Sequence, residues 1–321
     1  MLSRVAESLY WMARNGERTE NNAHILGVQL IKTLEAPEKD RSTLYDWETI
    51  LEICSSKWEF EQENREFSVQ SVMDYLAFSE SNPNSLSNAI ANVRENARMT
   101  QTILPNDLWE VWNALYLFLQ SKHLSDDCTL QEIHGFLEKI HTTSMTATGI
   151  IDSRMSRDLP YHFMRIGKWL ERAEKTAIIL KVIDNRSKQF QERGLDEYYW
   201  RSALQLVNGF EDYAKKFRPH VNPNLVLQFL LTDRSFPRSI RYCMEHVRKT
   251  IIEIEGDKVS HYSWRMYAAL DKMKADFDTF NIEQMNFQEV EDFIQLTLER
   301  CIDFSKIFSE TYYLIETESV I

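Results

Sequence analysis

The second half of this chain repeats the first, in its polar residues as well as its apolar ones. Glu17-Arg18 recurs 154 residues later as Glu171-Arg172. Other pairs keep the same offset and order: Val72 with Val226, Tyr75 with Phe229, Leu76 with Leu230, Pro83 with Pro237 and Ser85 with Ser239. This order predicts an internal duplication, with two tandem copies of about 155 residues at 1–155 and 156–321 that pack together with pseudo-two-fold symmetry.

Composition makes helix the expected secondary structure of both copies. The 321 residues include only 8 Gly and 7 Pro, well below the usual shares of about 7% and 5%. The segments between these breakers are rich in good helix formers. We therefore predict the all-α class, a duplicated helical bundle.

The net charge of −12 argues against nucleic acid as a partner, because binding to phosphate backbones requires a basic face. The most apolar run, Leu108–Leu119, contains Glu110 and is much shorter than the roughly 20 residues that a membrane span needs. Neither nucleic acid nor a membrane is expected as a partner.

The four cysteines favour a reducing compartment. Cys54, Cys128, Cys243 and Cys301 show no C-x-x-C spacing, so disulfide and zinc interpretations are both weak. The first residues run directly into a predicted helix without the apolar stretch of a signal peptide. We expect four free thiols and a cytoplasmic protein.

Apolar residues at helical spacing, together with proline-bearing turns, divide the chain into helices. The predicted helices cover 2–36, 44–53, 68–79, 85–103, 107–122, 129–150, 161–183, 196–214, 224–231, 239–253, 259–280 and 286–314. The polar stretch Asp184–Gly194 is predicted to link the two halves.

Two acidic residues project from apolar helix stripes. On a helix, Glu20 shares a face with Leu9, and Glu174 shares one with Phe163. A buried carboxylate needs a partner, because an unpaired buried charge costs several kcal/mol. The expected partners are arginines: Arg94 and Arg98 in the first copy, and Arg248 in the second.

A set of repeated Glu and Arg residues is the candidate polar site. It comprises Glu17, Arg18, Glu20, Arg94, Glu95, Arg98, Glu171, Arg172, Glu174, Arg238 and Arg248. One interpretation is that these residues form ion pairs that fix helix register. Another is that the arginines bind a carboxylate or phosphate, and a third is that they face a partner protein.

Metal, cofactor and nucleophile sites receive little support. Glu138 and His141 have the Glu-x-x-His spacing of di-iron bundles, but Leu298 stands where a second copy of His141 would fall. We predict no metal and no cofactor. No Ser/His/Asp or Cys/His set emerges from spacing, and no catalytic residue is assigned.

Several motifs together resemble the bacterial Alpha-E family. They are Met1-Leu2-Ser3-Arg4-Val5-Ala6-Glu7-Ser8-Leu9-Tyr10-Trp11-Met12-Ala13-Arg14, Asn82-Pro83-Asn84-Ser85, Arg94-Glu95-Asn96-Ala97-Arg98, Trp169-Leu170-Glu171-Arg172-Ala173-Glu174 and Phe236-Pro237-Arg238-Ser239. The resemblance spans nearly the whole chain. One departure is Asn15-Gly16 before the first Glu-Arg, where the family usually has an aromatic residue and Leu, so we expect looser packing there.

The resemblance implies a genomic context more than an activity. Proteins similar to this one are encoded beside, or fused to, a circularly permuted ATP-grasp protein, often with a transglutaminase-like peptidase. ATP-grasp enzymes activate a carboxylate as an acyl phosphate and join it to an amine. The implied role is assistance in peptide synthesis or modification.

Two hypotheses of different classes follow. In the first, the chain is a non-catalytic helical subunit that docks an ATP-grasp amide ligase, its peptide substrate, or both. In the second, it is an enzyme or small-anion-binding protein with an Arg/Glu pocket of its own. Solvent-exposed motif residues facing a flat apolar patch would favour the first hypothesis, whereas a concave cavity with convergent unpaired arginines would favour the second.

Overall fold

A computed structural model describes residues 2–35, 42–121, 129–256 and 260–312, and these residues contain helices and no strands. Fourteen α-helices and two short 3-10 helices occur in the described ranges. The α-helices are α1 Ser3–Glu35, α2 Ser42–Ile53, α3 Lys57–Gln62, α4 Val69–Ala77, α5 Leu86–Met99, α6 Asn106–Gln120, α7 Leu130–Arg154, α8 Leu159–Gln189, α9 Asp196–Leu206, α10 Phe210–Phe217, α11 Pro223–Thr232, α12 Ile240–Glu255, α13 Trp264–Thr279 and α14 Phe287–Tyr312. The all-α prediction is confirmed.

The chain divides into two compact units. Unit I contains the described residues of 1–14, 156–204 and 208–321, and unit II contains those of 15–155 and 205–207. The long helix α1 therefore contributes its first turns to unit I and the rest to unit II. The internal duplication stays a prediction.

Unit I is built on α8, which packs against α12 and α14. Contacts along α8 and α12 run in opposite directions: His162 lies beside Glu253, and the Trp169 ring lies 5.0 Å from the His246 ring. The two helices are therefore antiparallel. Gly167 allows close approach of α1, because a Cβ at this position would lie only 2.5 Å from the backbone oxygen of Tyr10.

In unit II, α5 packs against α6, and α6 packs against α7. The expectation of looser packing at Gly16 is wrong. The buried Trp112 of α6 occupies the space beside this glycine, and a Cβ there would lie 3.3 Å from the indole ring. The missing side chain is thus replaced by an aromatic ring from another helix.

The predicted proline-bearing turns do precede helices. Ser85 accepts a hydrogen bond from Asn88 N at 3.2 Å, and Ser239 accepts one from Tyr242 N at 3.1 Å. These serines are N-caps that satisfy an otherwise unpaired N–H in the first helical turn. Helices α5 and α12 therefore begin where the sequence predicts.

Two helix predictions need correction. Most of Asp184–Gly194 is not a linker, because α8 continues to Gln189. Its polar residues have partners: Lys188 Nζ bonds Asp184 at 2.6 Å and Glu291 of α14 at 2.9 Å. The predicted helix 196–214 is two helices, interrupted at Asn208, which has a positive φ of 52°.

Candidate functional site

The motif residue Glu171 lies in a buried polar cluster where the first turns of α1 meet α8 and α14. This Arg14 cluster consists of Tyr10, Arg14, Glu171, Glu174 and Ser305. Tyr10 and Arg14 are one helical turn apart, as are Glu171 and Glu174, so each pair shares a helix face. Helical spacing thus brings two side chains from α1 and two from α8 to one point.

Arg14 uses all three guanidinium nitrogens within this cluster. Its Nε donates to Glu171 Oε2 at 2.8 Å, while Nη1 donates to the Tyr10 hydroxyl at 3.1 Å and to Ser305 Oγ at 3.2 Å. Its Nη2 donates to Glu174 and also lies 2.7 Å from Glu171 Oε2. Since a guanidinium has five N–H donors, these contacts occupy the whole group.

Burial makes the charges of the cluster interdependent. Only 6% of the Arg14 side chain and 5% of the Glu171 side chain are exposed, compared with 16% for Glu174. Burial alone would lower the pKa of Arg14, but Glu174, Tyr10 and Glu171 outweigh it and hold that pKa well above its ordinary value. Arg14 therefore remains a cation that neutralises its carboxylate neighbours.

Burial also raises the pKa of two neutral neighbours. It raises the pKa of the Tyr10 hydroxyl, an effect that Arg14 partly offsets. It raises the pKa of the Cys301 thiol well above its ordinary value, and the Glu174 carboxylate adds to this effect. Cys301 is thus held as a thiol, whereas cysteine nucleophiles react as thiolates.

The predicted partners of the two stripe acids are only partly correct. Glu20 is buried, as predicted, whereas Glu174, for which burial is also predicted, is only partly buried. Glu174 does pair with an arginine, but with Arg14 on α1 and not with Arg248. The predicted Arg248 partner is wrong because Arg248 lies beside α13, where its Nη1 bonds Asp271 at 2.5 Å.

The other predicted residues have separate local partners. Arg94 donates to Asn113 at 2.9 Å and lies 4.6 Å from the Tyr116 ring, whereas Arg98 pairs with Glu95 on the surface. Glu17 accepts a hydrogen bond from Asn21 at 3.3 Å, and the Arg172 guanidinium lies 5.2 Å from the centre of the Trp169 ring. The backbone oxygen of Arg238 accepts a hydrogen bond from the Thr176 hydroxyl at 2.9 Å, and Arg18 is partly buried on α1.

A second polar site lies in unit I between the first turns of α8 and the last turns of α12. It is a cleft of about 580 Å³. This basic cleft is lined by Arg157, Tyr161, His162, Arg165, His246, Lys249, Thr250 and Glu253. Three of these side chains are cations and one is a carboxylate.

Aromatic rings position the arginines of the basic cleft. The Arg157 guanidinium lies 4.1 Å from the centre of the Tyr161 ring, and Arg165 Nη1 donates to the Tyr161 hydroxyl at 2.9 Å. Arg165 also lies 5.1 Å from the Trp169 ring. Tyr161, Arg165 and Trp169 occur every four residues of α8, so they follow one face of the helix, and Arg157 lies just before the start of this helix.

Sequence reasoning missed Arg14 and the basic cleft because it selected residues that recur in the two halves. The position 154 residues after Arg14 is Lys168, and the position 154 residues before Arg165 is Trp11. The available signal was the alternation of Arg and aromatic residues at a spacing of four, which predicts a cation–aromatic ladder on a helix face.

The described ranges contain no group of three or more His, Cys, Asp or Glu residues placed to hold a metal ion. His141, which suggested a di-iron spacing, lies beside His24, with ring centres 5.3 Å apart. Cys54, Cys243 and Cys301 are buried free thiols, and Cys128 lies outside the described residues. None of the helices described here has a long enough apolar stretch to cross a membrane.

Fold and site together define an all-helical protein in which the second Glu-Arg motif contributes Glu171 to a buried polar cluster. The chain belongs to the Alpha-E family, described as a predicted alpha-helical domain with a conserved ER motif, whose model matches residues 1–313. Relatives include uncharacterized proteins of Mycobacterium bovis and Mycobacterium tuberculosis. Each is 23% identical over 286 residues, which cover 82% of this chain and 31% of the relative. No solved structure matches the chain.

Proposed function

We propose that this chain is an accessory helical subunit of an ATP-grasp amide ligase system that acts in peptide synthesis or modification. In this role it docks the circularly permuted ATP-grasp ligase, its peptide substrate, or both. A transglutaminase-like peptidase is a further partner, and the cytoplasm is the proposed compartment.

The observation that carries this proposal is the length of the relatives. This chain spans about a third of the length of the mycobacterial proteins that it matches. In those proteins a region similar to this chain is therefore part of a longer polypeptide. That arrangement supports a module that works beside another protein segment, as the Alpha-E resemblance implies.

The placement of the motif residues supports the same role. Arg14 and Glu171 bond one another inside the fold, so their charges are used for structure. Glu95 and Arg98, from another family-like motif, are instead about half exposed and pair only with each other among the described residues. These two side chains can reach a partner protein without disturbing the core.

Equivalent contacts support the proposed duplication into two tandem copies. The indole N–H of Trp47 donates to Thr33 at 3.0 Å, and that of Trp200 donates to Ser187 at 3.2 Å. Thr33 and Ser187 lie 154 residues apart, the same offset that separates Glu17 from Glu171.

Co-elution and ligation assays test the proposal. The full chain is mixed with the ATP-grasp protein of the same genome and analysed by size-exclusion chromatography. Amide formation and ATP consumption are then measured with and without the chain. We expect a complex and a changed ligation rate, with no ATP turnover by the chain alone, because its sequence has no glycine-rich phosphate loop.

A matched pair of surface variants sharpens this test. Arg98→Ala removes an exposed cation that pairs with an acid three residues earlier, and Lys215→Ala removes one in the same arrangement with Asp212. We expect weaker co-elution for Arg98→Ala alone. A ligase that neither binds the chain nor responds to it, or ATP turnover by the isolated chain, would overturn the accessory role.

A further inference from the structure

The charge of the basic cleft is opposite to that of the protein as a whole. Arg157, Arg165 and Lys249 outnumber Glu253 in its lining, although the chain has a net charge of −12. Cations gathered in a concave site concentrate the electric field there and attract anions. This local reversal of charge is a property expected of an anion site.

Two groups in the basic cleft are available to contact a ligand. Lys249 is exposed and forms no salt bridge within the described part of the chain. His162 is buried, and its Nδ1 has no hydrogen-bond partner among the described residues; Glu253 Oε2 lies 3.4 Å away, outside hydrogen-bond geometry. A buried polar nitrogen without a partner costs free energy that a hydrogen bond to a bound ligand would recover.

The two arginines of the basic cleft are held in place before a ligand binds. Tyr161 holds Arg157 against its ring face and Arg165 through its hydroxyl, so fewer side-chain conformations are lost when an anion binds. The cleft volume of about 580 Å³ is within the roughly 300–1,000 Å³ range of small-molecule sites. The site therefore suits a small ligand.

We infer that the basic cleft is a binding site for a small oxyanion, a carboxylate or a phosphate. Guanidinium and ammonium groups are the side chains that recognise both anions. The proposed duplication provides no second copy of these cations, because the positions 154 residues before Arg157, Arg165 and Lys249 are Ser3, Trp11 and Glu95. This site goes beyond the accessory role and does not depend on it.

Isothermal titration calorimetry of the full chain at low ionic strength tests the inference. One arm uses inorganic phosphate and a second uses N-acetylglycine, so the arm that saturates identifies the preferred anion. We expect one site per chain and weaker binding as sodium chloride is added. In the Arg157→Gln/Lys249→Gln double variant, affinity should fall about tenfold or more, since charged hydrogen bonds are lost.

Two further variants complete the design. Glu253→Gln removes the one carboxylate of the lining and should raise affinity for the anion. Arg98→Gln/Lys215→Gln removes two exposed cations elsewhere and should leave affinity unchanged. Both Arg157 and Lys249 are exposed, and thermal melting of each variant checks its fold. Absence of saturable binding in both arms, or unchanged affinity in the Arg157→Gln/Lys249→Gln variant, would overturn the inference.

Discussion

Arg14 supplies the positive charge that balances the Glu171 and Glu174 carboxylates in unit I. It joins α1 to Glu171 and Glu174 of α8 and to Ser305 of α14. The sequence around Glu171 does not indicate which of the chain's many cations pairs with it. The pairing depends on which helices pack together, and the partner of Glu171, Arg14, is 157 residues away in sequence.

The first prediction concerns loss of this arginine. Arg14→Ala leaves two carboxylates of a buried cluster without their cation, and we expect it to lower the free energy of unfolding by about 3–5 kcal/mol. Urea denaturation followed by circular dichroism measures the change.

The matched control for Arg14→Ala is Arg98→Ala, which breaks an Arg–Glu pair that is about half exposed. Solvent and salt screen such pairs, so the free energy of unfolding of this variant should be close to that of the wild type. Equal losses in the two variants would show that the Arg14 cluster adds no more stability than a surface pair.

At the scale of elements, helix contacts depend on where side chains are missing. Gly167 lies where the α8 backbone meets the backbone oxygen of Tyr10, and Gly16 lies against the Trp112 ring. Gly149 of α7 has no neighbouring atom within 4 Å of its missing Cβ. The same residue type therefore serves packing at two positions and weakens a helix at the third.

This difference predicts opposite signs for one substitution. Gly167→Ala forces a Cβ against backbone and should destabilise the protein by about 1–3 kcal/mol. Gly149→Ala adds a Cβ in open space and should stabilise it by about 0.5–1 kcal/mol, because Ala is the better helix former. Thermal denaturation of both variants measures the two effects. Stabilisation by Gly167→Ala would refute the close approach of α1 to α8.

Helix positions were largely predictable from sequence, since apolar spacing and capping serines are local signals. Ser85 and Ser239, for example, do cap α5 and α12. The end of α8 was not predictable in the same way, because Lys188 is fixed by Glu291 of a distant helix. Site partners were the hardest to predict, since Arg14 meets Glu171 only through tertiary packing.

At the scale of the whole molecule, pH acts on a strongly acidic protein. The net charge is −12 at pH 7, so proton loss at higher pH adds to self-repulsion. Lys32 in unit II contributes to stability with the opposite dependence on pH. Burial lowers the pKa of Lys32 from 10.5 to about 8, an effect that Asp46 partly offsets.

The last prediction follows from the sign of this shift. Between pH 8 and about 10, the unfolded Lys32 binds a proton that the folded side chain has released, so the unfolded state binds more protons and this residue's contribution to stability rises with pH. Below pH 8 the folded side chain is charged as well, and its contribution is constant. The raised pKa of Tyr10 affects the wild type and the variant equally, so it cancels in the difference between them. The free energy of unfolding of wild type minus that of Lys32→Gln, measured by urea denaturation, should therefore increase from pH 8 to pH 10. A constant or falling difference would show that Lys32 is not desolvated in the folded protein.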